Sequence, residues 1–149
     1  MARLIPKTTP DEIVNPIESM LAKSLISQLD ADVEVYHSFK CAEDSMDVEQ
    51  VSTSSTAPTR FLDAEEEVVI IDPANGMLLL ELKGGSLCYL EKADCWEQVF
   101  DNGRIRRMNK SPFDQSSRKM FNLLDRIESE KPFSEMARLP FTFGYALVS

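Results

Sequence analysis

The sequence predicts an α/β domain with a mixed central sheet flanked by helices, and three observations predict it. Two segments carry helix-start grammar, Asn15-Pro16-Ile17-Glu18 and Ser111-Pro112-Phe113-Asp114. Between them, Val68 to Ile71 and Met77 to Leu80 are short aliphatic runs flanking Asp72-Pro73-Ala74-Asn75-Gly76, a loop with both Pro and Asn-Gly, which reads as a hairpin. A last apolar run, Phe141 to Val148, reads as a strand. With 149 residues, 43% apolar and 28% charged, the chain fits one domain that can bury a real core.

The first helix should run from the Asn15 cap and Pro16 to about Leu29. Ile17, Met20, Leu21, Leu25 and Leu29 form its apolar stripe, and Ser19, Lys23 and Ser27 face solvent. Val33 to Phe39 alternates and reads as a strand of mixed exposure. The polar stretch from Cys41 to Pro58, with Ser52-Thr53-Ser54-Ser55-Thr56 inside it, is expected to be a flexible loop spanning about 41–60. After the hairpin, Ser86 to Leu90 and Trp96 to Phe100 are strand candidates. Asp101-Asn102-Gly103 then turns the chain into Arg104 to Met108, and these strands are expected to extend the sheet. The second helix should bury Phe113, Met120, Leu123, Leu124 and Ile127, place Gln115, Lys119 and Asn122 together on another face, and end at Lys131-Pro132. No internal repeat is visible. The apolar ending at Ser149 is expected to mark the N-terminal part of a longer protein.

The hairpin fixes the register. With the loop centred on Ala74, Ile71 faces Met77, Val69 faces Leu79 and Glu67 faces Glu81, while Lys83 shares the face of Glu81. Two carboxylates and an ammonium then crowd one end of a sheet face whose other end is apolar. That arrangement is costly unless a cation binds there, and a divalent metal is the obvious candidate.

Charge and cysteine content bound the rest. The net charge of -9 argues against a general polyanion binder, because affinity for phosphates comes from Lys and Arg. The charge is uneven: residues 41 to 67 are acidic, whereas 104 to 119 carry Arg104, Arg106, Arg107, Lys110, Arg118 and Lys119 against Asp114. Cys41, Cys88 and Cys95 with the single His37 make a poor zinc set and read as reduced thiols of a cytoplasmic protein. The N-terminus lacks the apolar stretch of a signal peptide, and no run is long enough to span a bilayer.

These phrases together resemble the NERD (nuclease-related) domain of the PD-(D/E)XK nuclease superfamily. The opening Met1-Ala-Arg-Leu-Ile-Pro6 and the helix start Pro16-Ile17-Glu18 resemble the beginning of NERD domains found with helicases. The centre resembles the family's acid, apolar run, Asp-Pro turn and Glu-hydrophobic-Lys-Gly, here Glu67, Val68 to Ile71, Asp72-Pro73-Ala74-Asn75-Gly76 and Glu81-Leu82-Lys83-Gly84. Ser111-Pro112-Phe113-Asp114-Gln115 resembles the Asn-Pro-x-x-Gln phrase of the next helix. The chain departs from the family in carrying Glu67 for the usual Asp, Ile17 for Gly and Ser111 for Asn.

The resemblance implies a restriction-endonuclease-like αβββαβ core and metal-dependent phosphodiester hydrolysis on DNA, accessory to a fused or associated helicase or to a defence protein. Mg²⁺ (or Mn²⁺) would be held by Glu67, Glu81, the carbonyl oxygen of Leu82 and, from the first helix, Glu18. Lys83 would orient or help deprotonate the attacking water, and Gln115 would position phosphate or water. Arg104, Arg106, Arg107, Lys110, Arg118 and Lys119 would meet the phosphate backbone.

Plainer roles stand beside these. From composition alone Glu67 reads as one more solvated acid in an acidic run, a reading that its register opposite Glu81 reverses; Lys83 reads as a surface ion pair with Glu65 or Glu81, and the spacing favours Glu18 as a capping-box residue. His37 reads as packed or surface-lying, Trp96 as core, and Arg104 to Lys110 as a charged hairpin edge. The alternative function is a catalytically inactive module of the same fold that binds nucleic acid or a partner protein; a third is a homodimeric interaction module.

Overall fold

The computed structural model describes residues 1–7, 9–39 and 66–149, so the flexible loop expected at 41–60 lies outside the described residues. In chain order the elements are β1 Arg3–Ile5, α1 Pro16–Gln28, β2 Glu34–Phe39, β3 Glu66–Asp72, β4 Gly76–Leu82, β5 Ser86–Leu90, β6 Cys95–Val99, β7 Ile105–Met108, α2 Pro112–Ser129 and β8 Phe143–Val148. Both predicted helix starts are capped. Asn15 Oδ1 accepts from the backbone nitrogens of Ile17 (2.9 Å) and Glu18 (3.3 Å), and Ser111 Oγ accepts from that of Phe113 (3.2 Å). Proline follows each cap, where its missing N–H costs nothing.

A five-stranded mixed sheet in the order β1-β2-β3-β4-β8 forms the centre, with β1 parallel to β2, β8 parallel to β4, and antiparallel pairing between them. The β3–β4 register is the predicted one: Ile71 pairs with Met77, Val69 with Leu79 and Glu67 with Glu81. Asp72 holds the turn, its Oδ1 accepting from the backbone nitrogens of Ala74 (2.8 Å) and Asn75 (3.2 Å). Gly76 closes it at φ +108, where a side chain is strained and a Cβ would lie 2.1 Å from the carbonyl oxygen of Thr142.

Alternation along the strands gives the sheet two cores. On one face Val35, Val68, Ile70, Leu80 and Leu82 pack with Ala22 and, partly buried, Leu21 and Leu25 of α1. On the other, Val69, Met77 and Leu79 pack with Met120 and Leu124 of α2. Each fully buried aliphatic side chain contributes about 1.5–3 kcal/mol of transfer free energy, so the two helices are held chiefly by these stripes.

Three expectations need correction. The strands after the hairpin do not extend the central sheet; β5, β6 and β7 form a separate antiparallel meander. The place beside β4 is taken by β8, and the chain leaves the sheet at Gly85, φ +75, where a Cβ would lie 2.3 Å from the carbonyl oxygen of Val99. The α1 stripe is rotated: Met20 is 69% exposed, and the buried positions are Glu18 and Ala22. A carboxylate in the buried row hid that row from a reading based on apolar residues. Phe113 is 47% exposed rather than core, stacking edge-on against Trp96 at 5.8 Å, while Leu123 and Ile127 are only partly buried. No helix of the described residues is long and apolar enough to cross a membrane.

Candidate metal and phosphodiester site

The α2 face of the sheet ends in charge. Counting back by twos from Ile71 and on from Met77, the apolar pairs give way to Glu67 opposite Glu81, with Lys83 just past the end of β4, its backbone nitrogen donating to the Val148 carbonyl oxygen at 2.8 Å. All three are buried: Glu67 is 5% exposed, Glu81 0% and Lys83 1%. The sequence-based reading of Glu67 as a solvated acid and of Lys83 as a surface pair therefore gives way to a buried cluster.

Glu81 is its centre. Its Oε1 accepts from Lys83 Nζ at 3.0 Å and from Lys119 Nζ at 3.1 Å, and its Oε2 accepts from the hydroxyl of the fully buried Ser116. Lys119 Nζ also lies 2.6 Å from Glu67 Oε1, so one ammonium bridges the two facing carboxylates. Lys83 Nζ donates to Gln115 Oε1 at 3.2 Å, tying the strand to the first turn of α2. Two carboxylates and two ammoniums alternate here, which is how a buried ionic group avoids the penalty of an unpaired charge. Burial pulls the Lys119 ammonium toward deprotonation, but its hydrogen bond to Glu67 and the charge of Glu81 prevail and hold its pKa above the usual lysine value.

Helical spacing explains why α2 supplies these partners. Gln115 and Lys119 are one turn apart, and Ser116 leads the buried row Ser116, Met120, Leu124. Lys119, expected to meet phosphate with Arg118, instead turns inward. Its i, i+4 relation to Gln115 was the available signal. Ser116 was not anticipated, since a serine inside a helix carries no distinctive pattern.

The remaining candidates are dispersed. Glu18 is buried on the α1 side, its Oε1 3.9 Å from His37 Nδ1, and His37 Nε2 lies 3.1 Å from the carbonyl oxygen of Pro6. Leu82, 1% exposed, is paired between Glu66 and Val148 within the sheet. Arg106 and Arg107 are consecutive on β7 and so project to opposite faces. Arg107 is paired with Glu97 at 2.8 Å and Arg104 stacks over the Phe100 ring at 4.6 Å. Lys110 and Arg118 are exposed before and along α2.

The donor set suits a hard divalent ion. Among the described residues no three His, Cys, Asp or Glu side chains come together as a metal-holding group. Glu67 and Glu81 nevertheless supply two carboxylates, and Mg²⁺ commonly takes one or two from protein while water and phosphate oxygens complete its shell. The Lys119 ammonium already occupies a cation's position between them. No protein-family model, curated protein or solved structure matches this chain.

Proposed function

We propose that this chain is a metal-dependent nuclease domain, with a restriction-endonuclease-like core of the NERD type, that hydrolyses phosphodiester bonds in DNA in the service of a helicase or defence protein. The observation that carries this reading is the convergence of Glu67 and Glu81 from two paired strands with Lys83 just after β4 and Gln115 from α2. With β1 and the β5–β7 meander set aside, the order α1-β2-β3-β4-α2-β8 supports the αβββαβ assignment.

Glu67, Glu81 and the Leu82 carbonyl oxygen would hold Mg²⁺ or Mn²⁺, which when bound supplies an activated water and charge stabilisation at phosphorus. Glu81 is held and aimed by the Ser116 hydroxyl and the Lys83 ammonium. Lys83, fixed between Glu81 and Gln115, is the donor that orients the attacking water or a phosphate oxygen. Gln115 gives its amide oxygen to Lys83, which leaves its amide nitrogen to donate to phosphate. Arg104, Arg106, Lys110 and Arg118, dispersed over β7 and α2 and the turns before them, would add positive charge for the DNA backbone. Glu18, set against His37 on the α1 side, has no metal role in this scheme.

One observation favours the catalytically inactive module as the second reading: among the described residues, Lys83 and Lys119 pair with the two carboxylates without a metal. Supercoiled plasmid incubated with the purified chain and Mg²⁺ or Mn²⁺ separates the two. The nuclease nicks it, and Glu81→Ala loses about 100-fold or more of that rate, as expected when several kcal/mol of metal-borne stabilisation go. A folded wild-type chain that leaves the plasmid intact in both metals would establish the second reading instead.

A further inference from the structure

We infer that Lys119 is a tethered cation which occupies the ion position of the acid pair, so that a divalent metal binds only by displacing it. This rests on the nuclease reading above. Lys119 Nζ is 2.6 Å from Glu67 Oε1 and 3.1 Å from Glu81 Oε1, within the space that a metal shared by those two oxygens would take. Metal–oxygen distances near 2 Å leave no room for an ammonium at the same point. Binding of the two cations is therefore mutually exclusive.

Of the two lysines, Lys119 is the one able to leave. Its side chain is 18% exposed, whereas that of Lys83, directly after β4, is wholly buried, with Gln115 as a second partner. Lys119 comes from α2, keeps part of its side chain exposed, and has a four-carbon stem that can swing without moving the helix. Charge points the same way. Among the described residues the two carboxylates and both lysines sum to zero, and adding a divalent ion to that set would leave two further positive charges beside buried groups. Releasing Lys119 halves the excess. The displaced ammonium would then lie at the mouth of the site, where an incoming phosphate oxygen is its natural partner. The metal-free protein is thus folded with its acids neutralised, and metal loading frees a phosphate-binding lysine.

The test is Mn²⁺ affinity, followed by loss of the free-ion electron paramagnetic resonance signal, on wild type, Lys119→Met and Lys119→Gln. Glutamine keeps a neutral hydrogen-bond donor near the carboxylates, so the test survives if the methionine variant does not fold. Removing the competing charge should tighten Mn²⁺ binding about ten-fold or more in either folded variant. Wild type that binds poorly beside a variant that binds well also supports displacement. Unchanged or weaker binding in the variants, with wild type binding, would overturn the inference and leave the nuclease reading standing. Absence of binding in all three would overturn both.

Discussion

Replacing Lys83 by Met probes the cluster where it is most deeply buried. The substitution keeps an unbranched stem of similar bulk but removes the ammonium 3.0 Å from Glu81 and 3.2 Å from Gln115. Breaking a buried ion pair from one side typically costs about 3–5 kcal/mol, because the partner is left charged and unpaired. Here the cost is moderated. Glu81 keeps Lys119 at 3.1 Å and the Ser116 hydroxyl, so its charge remains compensated. Loss of the donor to Gln115 adds back about 1 kcal/mol. The expected destabilisation is therefore about 2–3 kcal/mol, between a surface pair and a fully orphaned buried charge. Urea unfolding followed by Trp96 fluorescence and far-ultraviolet circular dichroism, in metal-free buffer, measures it. In a Glu81→Gln background the same substitution should cost less by about 1–2 kcal/mol, since residues in one ionic network couple. A cost under about 0.5 kcal/mol, or equal costs in the two backgrounds, would refute a buried Glu81–Lys83 pair.

Two further outcomes follow from the same geometry. Gly76→Ala places a side chain at φ +108 against the Thr142 carbonyl and should lower stability by about 2 kcal/mol or more in urea unfolding; a change under about 0.5 kcal/mol would show the turn to be otherwise arranged. Lys119 has a folded pKa raised above the ordinary 10.5, so its contribution is fully present below that value and is lost as pH rises through the folded one. Wild type should accordingly lose more stability than Lys119→Gln as pH rises above about 10.5, and equal losses would contradict the bridge.

The register at the site was legible because one local feature determines it. An odd loop centred on Ala74, bounded by Asp72 and Gly76, leaves a single way to pair the strands with their apolar faces aligned, and Glu67 then has to meet Glu81. Helix starts were legible for a similar reason, since Asn15 and Ser111 act on nitrogens two or three residues away. Long-range choices were not. Hairpin signals describe how β5, β6 and β7 pair with one another but not which sheet they join, and that was decided by β8 taking the edge of β4. The parallel β1 is three residues long, too short for any periodicity to show.

At the site, the acids and Lys83 were visible because they share strands with the turn. The charge balance was not. A buried ionic cluster is completed by whichever helix packs over it, and Lys119 and Ser116 are 38 and 35 residues away in sequence from Glu81. The charge run from Arg104 to Lys119 also appeared as one basic patch in sequence, yet strand alternation sends Arg106 and Arg107 to opposite faces and Lys119 to the acids.

The central claim is that one hard cation can be held between Glu67 and Glu81 at the end of the β3–β4 face. Anomalous diffraction from crystals of the protein soaked in Mn²⁺ tests it most directly. One peak is expected between those two carboxylates, with Lys83 still against Glu81 and Lys119 Nζ moved away from both acids. A peak elsewhere only, no peak at saturating Mn²⁺, or a β3–β4 register in which Glu67 no longer faces Glu81 would contradict it.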